Sequence, residues 1–217
     1  MNDEPDARPA RPAGLPEIPA GPPLLVVLSA PSGAGKDAVR DLLIAWRLPV
    51  HFAVTATTRP PRPDERQGDD YHFVSDAEFD RLEAEDGLLE HAIVYGQRKG
   101  VPRSEVIDPL ASGRDVIARV DVQGAATLRQ LIPAALLIFI APPSLDEAQR
   151  RLMERATESD AELRLRLETA VSEMEEASSF DYVVVNETGK LEGTARRIVE
   201  IIATEKARRA QKAPGEP

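Results

Sequence analysis

The stretch that most constrains the fold is residues 24–36, which read LLVVLSAPSGAGK. Leu24 to Leu28 form an unbroken apolar run of the length expected for a strand that is buried on both faces. A glycine-rich turn follows at once, ends in Lys36 and leads into a segment whose apolar residues recur at helical spacing. Strand, glycine-rich turn, lysine and helix are together the context that a phosphate-binding loop requires.

The chemistry of this loop depends on its glycines and its lysine. Gly33 and Gly35 would let several backbone N–H groups point into one hollow at a helix N-terminus, and Lys36 would reach the β- and γ-phosphates of a nucleotide. The match to G-x-x-x-x-G-K-[ST] is imperfect, because Ala30 replaces the first glycine and Asp37 the final Ser or Thr. A glycine-rich turn without a ligand is the alternative. The residues predicted to contact the nucleotide are Ala30, Pro31, Ser32, Gly33, Ala34, Gly35, Lys36 and Asp37.

Composition excludes several classes of function. A chain of 217 residues with 42% hydrophobic residues suits one domain with a real core, and without cysteine it has neither disulfides nor thiol-ligated metal. A net charge of −10 argues against nucleic acid as a partner. No apolar run approaches the ~18–20 residues that span a bilayer, and the N-terminus lacks the layout of a secretory signal. We therefore expect a cytoplasmic protein with no membrane partner.

Strand patterns alternate with helical patterns along most of the chain. Strands are predicted at about 24–28, 50–58, 88–94, 116–121, 135–141 and 182–185, and helices at about 75–85, 104–111, 123–131, 144–156, 160–177 and 190–210. This alternation predicts an α/β fold, with a parallel sheet covered by helices on both faces. The segment from about 54 to 104, which includes a predicted turn at 95–100, departs from the rhythm and indicates an inserted substrate-binding subdomain.

The two ends of the chain differ in composition from the rest. Residues 1–23 contain seven prolines among charged residues and alanine. Such a stretch buries too little apolar surface to order itself, so we expect a disordered extension, with a Pro-rich docking peptide as the alternative. The last residues, 212–217, are expected to fray.

A second anion site is indicated by a stiff basic loop. Arg59 and Arg62 are three residues apart among prolines, and two guanidinium groups on a stiff loop can hold a phosphate by forked hydrogen bonds. Tyr71, nine residues further on, could donate its hydroxyl to the same phosphate. The alternative is an ordinary solvated basic loop. Asp121 follows a predicted buried strand, at the end where ligands gather in open α/β sheets.

Five motifs in order carry a resemblance to a known family: Ser29–Lys36, Thr57–Arg62, Asp70–Val74, Leu89–Ala92 and Val120–Gly124. Their residues and spacing resemble those of the guanylate kinases from residue 24 to about 205. The resemblance implies transfer of the γ-phosphate of ATP to GMP or dGMP with Mg²⁺, giving ADP and GDP in purine nucleotide metabolism. It also implies a domain over 24–211. Its parts are a core (24–53, 105–144 and 168–211), a GMP-binding insertion (54–104) and a lid (145–167).

The resemblance also implies roles for residues around GMP. Arg59, Arg62 and Tyr71 would hold its phosphate, Glu90 would read the base and Thr55 would bond the guanine from the other side. Guanine offers N1–H and N2–H₂ as adjacent donors that one carboxylate can accept, whereas adenine has an acceptor at N1. Two further residues complete the predicted GMP site, namely Asp121 as an acidic neighbour and Lys99 as a phosphate contact.

On the ATP side, the resemblance implies that arginines of the lid supply positive charge to the moving phosphoryl group together with Lys36. Phosphoryl transfer needs alignment and charge more than covalent help. The arginines in question are Arg151, Arg155 and Arg166, and Asn186 is expected to contact adenine.

Three departures from the family pattern bear on activity. Asp37 replaces the residue whose hydroxyl meets Mg²⁺. Its carboxylate would contact the metal or its waters, or alternatively would only start the helix. Arg119 stands where relatives often carry an acid. Residues 98–101, Arg-Lys-Gly-Val, replace a Tyr-Tyr-Gly-Ser/Thr turn, so guanine selectivity would depend more on Glu90 and Thr55.

Two other readings stay open at this point. A related kinase with a different acceptor, such as ribose 1,5-bisphosphate, is motivated by the altered 98–101 turn. A guanylate-kinase-like domain can also be an inactive protein-binding module, although such modules usually lose the phosphate loop. A monomer and a homodimer are both compatible with the sequence.

Overall fold

The computed structural model describes residues 9, 11–154 and 160–212. The strands of this part of the chain are β1 (Leu25–Ser29), β2 (Val50–Phe52), β3 (Ala56–Thr57), β4 (His72–Phe73), β5 (Leu88–Val94), β6 (Gln97–Pro102), β7 (Asp115–Arg119), β8 (Leu136–Ala141) and β9 (Tyr182–Val185). Its α-helices are α1 (Lys36–Ala45), α2 (Asp76–Ala84), α3 (Ser104–Ala111), α4 (Val122–Leu131), α5 (Leu145–Glu154), α6 (Asp160–Glu175) and α7 (Leu191–Lys212).

The central sheet has the strand order β2-β7-β1-β8-β9, and every pairing in it is parallel. Alternate residues of β1 face opposite layers of helices: Leu28 packs with Leu43 of α1, and Val27 with Leu128 of α4. This arrangement confirms the predicted α/β fold with helices on both faces. The chain leaves β1 in one direction toward β2 and later crosses to β8 on the other side, so the carboxyl end of β1 is a switch point where ligands bind in such sheets.

A smaller sheet, in the order β4-β3-β6-β5, is formed by residues within the 54–104 segment. Helix α2 packs on it through Phe79, which is fully buried. Helix α2 begins with a capping box: the Glu78 N–H donates to Ser75 Oγ, and the Ser75 N–H donates to the Glu78 carboxylate.

Two predictions within this region are wrong in detail. The strand predicted over 50–58 is divided into β2, which belongs to the central sheet, and β3, which belongs to the small sheet. The predicted turn at 95–100 is only the Tyr95–Gly96 pair, with φ values of +53° and +73°, and β6 starts directly after it. Two consecutive residues with positive φ make the tight hairpin turn that matches strand twist, so Lys99 lies in a strand.

The proline-rich extension also differs from its prediction over the part that the structure describes. Leu15 is 7% exposed and belongs to the core cluster, and Ile18 packs against the same cluster. Arg196 of α7 donates hydrogen bonds to the carbonyl oxygens of Gly14 at 3.0 Å and Ala13 at 3.3 Å. Two apolar side chains and a guanidinium group that satisfies the backbone therefore hold this segment against α7.

Candidate functional site

The phosphate-binding loop joins β1 to α1 and is packed closely from behind. Gly33 and Gly35 have φ values of +82° and +86°. A Cβ on Gly33 would lie 2.5 Å from the Ala148 carbonyl oxygen, and one on Gly35 would lie 2.6 Å from Asn186 Nδ2. Both positions therefore require glycine for conformation and for space. Lys36 opens α1 and donates to the Val120 carbonyl oxygen at 2.7 Å.

A cleft opens in front of this loop, bounded by the small sheet on one side and α6 on another. Of the residues predicted from the sequence, those that line it are Ala30, Pro31, Ser32, Gly33, Gly35, Lys36, Asp37, Thr55, Arg59, Arg62, Tyr71, Glu90, Lys99, Asp121 and Arg166. The fold therefore brings together residues that are up to 136 positions apart in the chain.

Three predicted site residues lie behind the loop and do not line the cleft. The Ala34 carbonyl oxygen accepts hydrogen bonds from Asn186 Nδ2 at 2.8 Å and from an Arg151 guanidinium nitrogen at 3.4 Å. The Asn186 Oδ1 accepts from the Thr194 hydroxyl at 3.0 Å, so both ends of the amide are engaged within the protein. In this structure the Asn186 amide braces the loop, and its contact with adenine stays a prediction.

Arg151 has a similar bracing position. Its Nε lies 2.8 Å from the Glu147 carboxylate, and another nitrogen donates to the Asn186 carbonyl oxygen at 3.0 Å. The guanidinium group thus joins α5 to the loop and to the end of β9. Arg155, the remaining predicted residue, lies outside the described residues.

The basic loop of the small subdomain holds its arginines with a carboxylate that the sequence reasoning missed. Glu65 pairs with both terminal nitrogens of Arg59, at 2.6 Å and 2.5 Å, and accepts the Arg62 N–H at 2.8 Å. The Arg59 guanidinium carbon also lies 4.9 Å from the centre of the Tyr71 ring. These contacts fix Arg59 and Tyr71 on one wall of the cleft.

Two residues that depart from the family pattern, Asp37 and Arg119, pair with each other. Arg119, at the end of β7, donates to the Asp37 carboxylate at 2.7 Å and to the Asp70 carbonyl oxygen at 2.9 Å. Its guanidinium carbon lies 4.5 Å from the centre of the Tyr71 ring, on which Arg59 also stacks. The Arg119 side chain is 7% exposed. Asp37, a carboxylate where the family pattern has a hydroxyl, is therefore paired with Arg119, a cation where relatives often carry an acid.

Glu90 is a buried carboxyl group with an unpartnered atom. It lies on β5, is 6% exposed, and its Oε2 has no hydrogen-bond partner among the described residues. Burial, and then the negative charge of Asp121, raise the pKa of Glu90 to about 8. A Cβ on Gly124 at the start of α4 would lie 2.7 Å from that same oxygen. The helix backbone therefore approaches the carboxyl group as closely as glycine allows.

Positive charge dominates the part of the cleft between the phosphate loop and the basic loop. Burial, and then the positive charge of Lys36, lower the pKa of Lys99 to about 8, with Arg119 and Arg59 adding to the effect. Burial also lowers the pKa of Lys36. Cations that depress one another's pKa values in a partly enclosed space form a site suited to anions.

A second carboxylate, Glu173 of α6, touches the phosphate loop itself. It accepts the Ser32 N–H at 3.2 Å and is 5% exposed, and burial raises its pKa. The sequence carries no local signal for this residue, which lies in a helical run of charged side chains. Tyr95 also lines the cleft. The sequence marks this residue as unusual, because a tyrosine precedes glycine where a tight turn usually has asparagine or aspartate.

A parallel sheet with a glycine-rich phosphate loop after its central strand is the fold of the P-loop NTPases. The family model described as "Guanylate kinase" matches residues 23–205. A guanylate kinase of Thermobifida fusca is 48% identical over 165 residues, covering 76% of this chain and 84% of that protein. "Guanylate kinase 2, chloroplastic/mitochondrial" of Oryza sativa subsp. japonica is 44% identical over 194 residues, covering 89% of this chain and 68% of that protein.

A crystal structure of guanylate kinase from Anaplasma phagocytophilum superposes with a TM-score of 0.71 at 32% identity, covering 87% of this chain and 88% of that one. The chain belongs to the guanylate kinase family. The structure also shows, for the residues it describes, no helix that is long and apolar enough to cross a membrane.

Proposed function

We propose that this protein transfers the γ-phosphate of ATP to GMP, giving ADP and GDP in purine nucleotide metabolism. The observation that carries the proposal is the unpartnered carboxyl oxygen of Glu90, which is buried in the same cleft as the phosphate loop. A buried acceptor without a partner is costly to the protein unless a ligand supplies donors.

Guanine supplies donors of the right kind for Glu90. Its N1–H and N2–H₂ groups are adjacent, so one carboxylate can accept both, whereas adenine presents an acceptor at N1. Thr55, which is 5% exposed and lines the cleft, has a hydroxyl for the other side of the base. Recognition of this kind uses the base and the phosphate, so dGMP is expected to serve as an acceptor as well.

The phosphate of GMP would lie against the cations on the wall opposite the loop. Arg59 and Tyr71 are held there by Glu65 and by their own ring contact, and Arg62 and Lys99 line the same space. An arriving phosphate dianion would stabilise the charged form of Lys99, whose pKa is lowered by burial and then by the positive charge of Lys36. Asp121 would lie near the nucleoside.

The phosphates of ATP would occupy the hollow of the phosphate loop, in front of the N-terminus of α1. Lys36 and Arg166 line the cleft and would stabilise charge on the transferring group, because phosphoryl transfer depends on alignment and electrostatics. Arg151 acts on the reaction through the loop that it braces, and Arg155 is proposed as a further lid arginine. Closure of the 54–104 insertion and the 145–167 lid would exclude water from the two phosphates.

The residues at the loop fit Mg²⁺ as a metal ligated mainly by phosphate oxygens and water. No group of three or more His, Cys, Asp or Glu that could hold a metal occurs among the described residues. Asp37 is the carboxylate at the loop, and Arg119 orients it in the way that hydrogen-bonded neighbours orient metal ligands. Bound Mg²⁺ would neutralise charge on the β- and γ-phosphates. Asp37→Ser should weaken Mg²⁺ binding in the presence of an ATP analogue, and an unchanged affinity would remove this role.

The direct test is ADP production from ATP and Mg²⁺ with GMP, dGMP, AMP, UMP and ribose 1,5-bisphosphate as separate acceptors. We expect turnover with GMP and dGMP and almost none with AMP. Glu90→Gln should weaken GMP much more than ATP, and Lys36→Ala should abolish turnover while leaving the thermal transition in place. Turnover with the sugar bisphosphate alone would establish the other kinase, and silence with every acceptor would refute an enzymatic role.

A cytoplasmic location remains a prediction from the sequence, which fractionation of the source cells would test. The absence of nucleic acid as a partner is likewise a prediction, and the test is a binding titration against DNA and RNA.

A further inference from the structure

The helix that begins at Lys36 is tied directly to the basic loop. Asp37 and Arg40 lie three residues apart in the first turns of α1, so their side chains project from the same face of the helix. Arg40 donates to the carboxylate of Asp70 at 2.6 Å and to the Asp70 carbonyl oxygen at 3.3 Å. Asp70 is the residue that precedes Tyr71 in the chain.

A second arginine, Arg119 at the end of β7, donates to the same carbonyl oxygen. Its Nη2 lies 2.9 Å from the Asp70 oxygen, while its Nη1 donates to the Asp37 carboxylate at 2.7 Å. The Arg40 and Arg119 side chains are only 11% and 7% exposed. One carbonyl oxygen therefore accepts hydrogen bonds from two buried guanidinium groups of the core. We call the set of Arg40, Arg119 and Asp70 the Asp70 clasp.

Asp70 is fixed within its own loop as well. Its N–H donates to the Arg66 carbonyl oxygen at 3.1 Å, and its carboxylate accepts the Arg66 N–H at 2.9 Å. The carbonyl oxygen of Tyr71 accepts the Gly68 N–H at 2.9 Å, and the Arg59 guanidinium carbon lies 4.9 Å from the centre of the Tyr71 ring. A contact that holds Asp70 therefore also holds Tyr71 and Arg59, the residues assigned to the acceptor phosphate.

The clasp joins two places whose separation matters for the reaction. Lys36 and the phosphate loop lie at one end and are assigned to the phosphates of ATP. Arg59 and Tyr71 lie at the other end and are assigned to the phosphate of GMP. Phosphoryl transfer requires the attacking oxygen and the transferring group to be close and in line, and a displacement of about 1 Å can slow such a step by about 100-fold.

We propose that Arg40 and Arg119 are positioning residues, which set the place of the acceptor phosphate relative to the phosphate loop by holding Asp70 against α1 and β7. This inference rests on the proposed function, since it takes ATP as the donor and GMP as the acceptor. Arg40 acts through Asp70, because it is not among the described residues that line the cleft. The clasp therefore governs the rate of the transfer step more than the affinity for either nucleotide.

The experiment measures the single-turnover rate of GDP formation in the wild type and Arg40→Met, with saturating ATP and Mg²⁺ and with enzyme in excess over GMP. Such kinetics separate the transfer step from product release. The rate should fall by about tenfold to 100-fold in Arg40→Met, because the acceptor phosphate is displaced. Calorimetry gives the Kd of GMP and of a non-hydrolysable ATP analogue, each alone. Each Kd should change by about twofold or less, because the side chains assigned to the nucleotides are untouched.

Two further variants make the test specific. Arg40→Lys keeps the charge but lacks the planar fork that holds two oxygens of Asp70, so stability should return while the rate stays at least about threefold below that of the wild type. Arg129→Met is the matched control. Arg129 also donates to a carboxylate, of Asp181 at 2.7 Å, and to a carbonyl oxygen, of Ala135 at 3.2 Å. It is not among the described residues that line the cleft, so its loss should lower stability without lowering the rate.

The other arm of the clasp has its own variant. Arg119→Lys keeps a cation beside Asp37 but lacks the fork that reaches Asp70 as well. Its single-turnover rate should also fall, by about tenfold, while the Kd of GMP changes little. An unchanged rate in Arg119→Lys would remove Arg119 from the clasp.

The outcomes separate this inference from the proposed function. A wild type that forms no GDP from GMP refutes both. If the wild type phosphorylates GMP and Arg40→Met does so at the same rate, or loses only affinity for GMP, the positioning role alone is overturned. A rate that Arg40→Lys restores in full, or that Arg129→Met lowers equally, overturns it too, because charge or stability then explains the loss. Thermal unfolding shows whether each variant is folded, and Arg40→Lys keeps the test decisive if Arg40→Met is not.

Discussion

Replacing Glu90 by glutamine should stabilise the folded protein at alkaline pH while removing recognition of guanine. Burial, and then the charge of Asp121, raise the pKa of Glu90 from 4.5 to about 8. In this interval the folded protein keeps a proton that the unfolded chain has released, so the free energy of unfolding falls as the pH rises. Below pH 4.5 Glu90 is protonated in both the folded and the unfolded protein, and above about pH 8 the loss of unfolding free energy is complete.

The magnitude follows from this interval. From 4.5 to about 8, at about 1.4 kcal/mol for each pH unit, ionised Glu90 costs the folded state about 5 kcal/mol. A glutamine in the same place has no charge, but its amide would lack a partner at a cost of about 1–3 kcal/mol. We therefore expect Glu90→Gln to be more stable than the wild type by about 2–4 kcal/mol above about pH 8, and less stable by about 1–3 kcal/mol near about pH 4, where only the cost of the amide remains.

The assay is urea unfolding of the wild type and Glu90→Gln at steps from about pH 4 to about pH 9. Glu105→Gln is the matched control. Burial opposes ionisation of Glu105, but hydrogen bonds from the Val54 N–H, His51 and His72 outweigh it and lower its pKa. Loss of this carboxylate should therefore destabilise the protein at neutral pH. The reasoning is refuted if the difference between Glu90→Gln and wild type does not depend on pH, or if the variant is the less stable one at alkaline pH.

Three further predictions concern the cleft. GMP affinity, measured by calorimetry across pH, should peak near about pH 8. Glu90 gains its negative charge and Lys99 loses its positive charge through pKa values that are both about 8. Glu90→Gln should lack the fall in affinity on the acid side, and a flat profile in the wild type would contradict both assignments. Gly124→Ala should weaken GMP by about tenfold or more with little effect on ATP, because its Cβ would lie 2.7 Å from a Glu90 oxygen. Gly193→Ala, where a Cβ would meet no atom within 4 Å, is the control and should leave both affinities unchanged. Arg119→Met should lower the free energy of unfolding by about 1–3 kcal/mol in urea, because it removes a buried guanidinium group that pairs with Asp37, donates to the Asp70 carbonyl oxygen and stacks on Tyr71. An unchanged midpoint would show that these contacts add nothing.

Much of the central fold could be predicted because its signals are local. Three such signals are the apolar run that becomes β1, the glycines after it and the capping box of α2. Each is a pattern of a few neighbouring residues, and it determines the structure of those same residues. The gathering of Thr55, Arg59 and Glu90 into one cleft could also be predicted, although by resemblance and not from periodicity.

What could not be predicted depends on contacts between distant parts of the chain. Asn186 and Ala34 are 152 residues apart, and only the packed structure shows that the amide braces the loop. Leu15 is one apolar residue in a proline-rich stretch, and its burial depends on a space that α7 provides. The division of 50–58 into two strands depends on which sheet offers a free edge, which local β propensity does not encode.

The ion pair between Asp37 and Arg119 has a consequence for how this sequence can have evolved. Asp37 without Arg119 would add negative charge beside the phosphates, and Arg119 without Asp37 would bury a guanidinium group without this carboxylate. We therefore expect that changing one without the other is less favourable than changing both, which would make the two substitutions epistatic. We expect relatives that carry aspartate at position 37 to carry a cation at position 119, and grafting either residue alone into a relative with the usual pair should harm it more than grafting both.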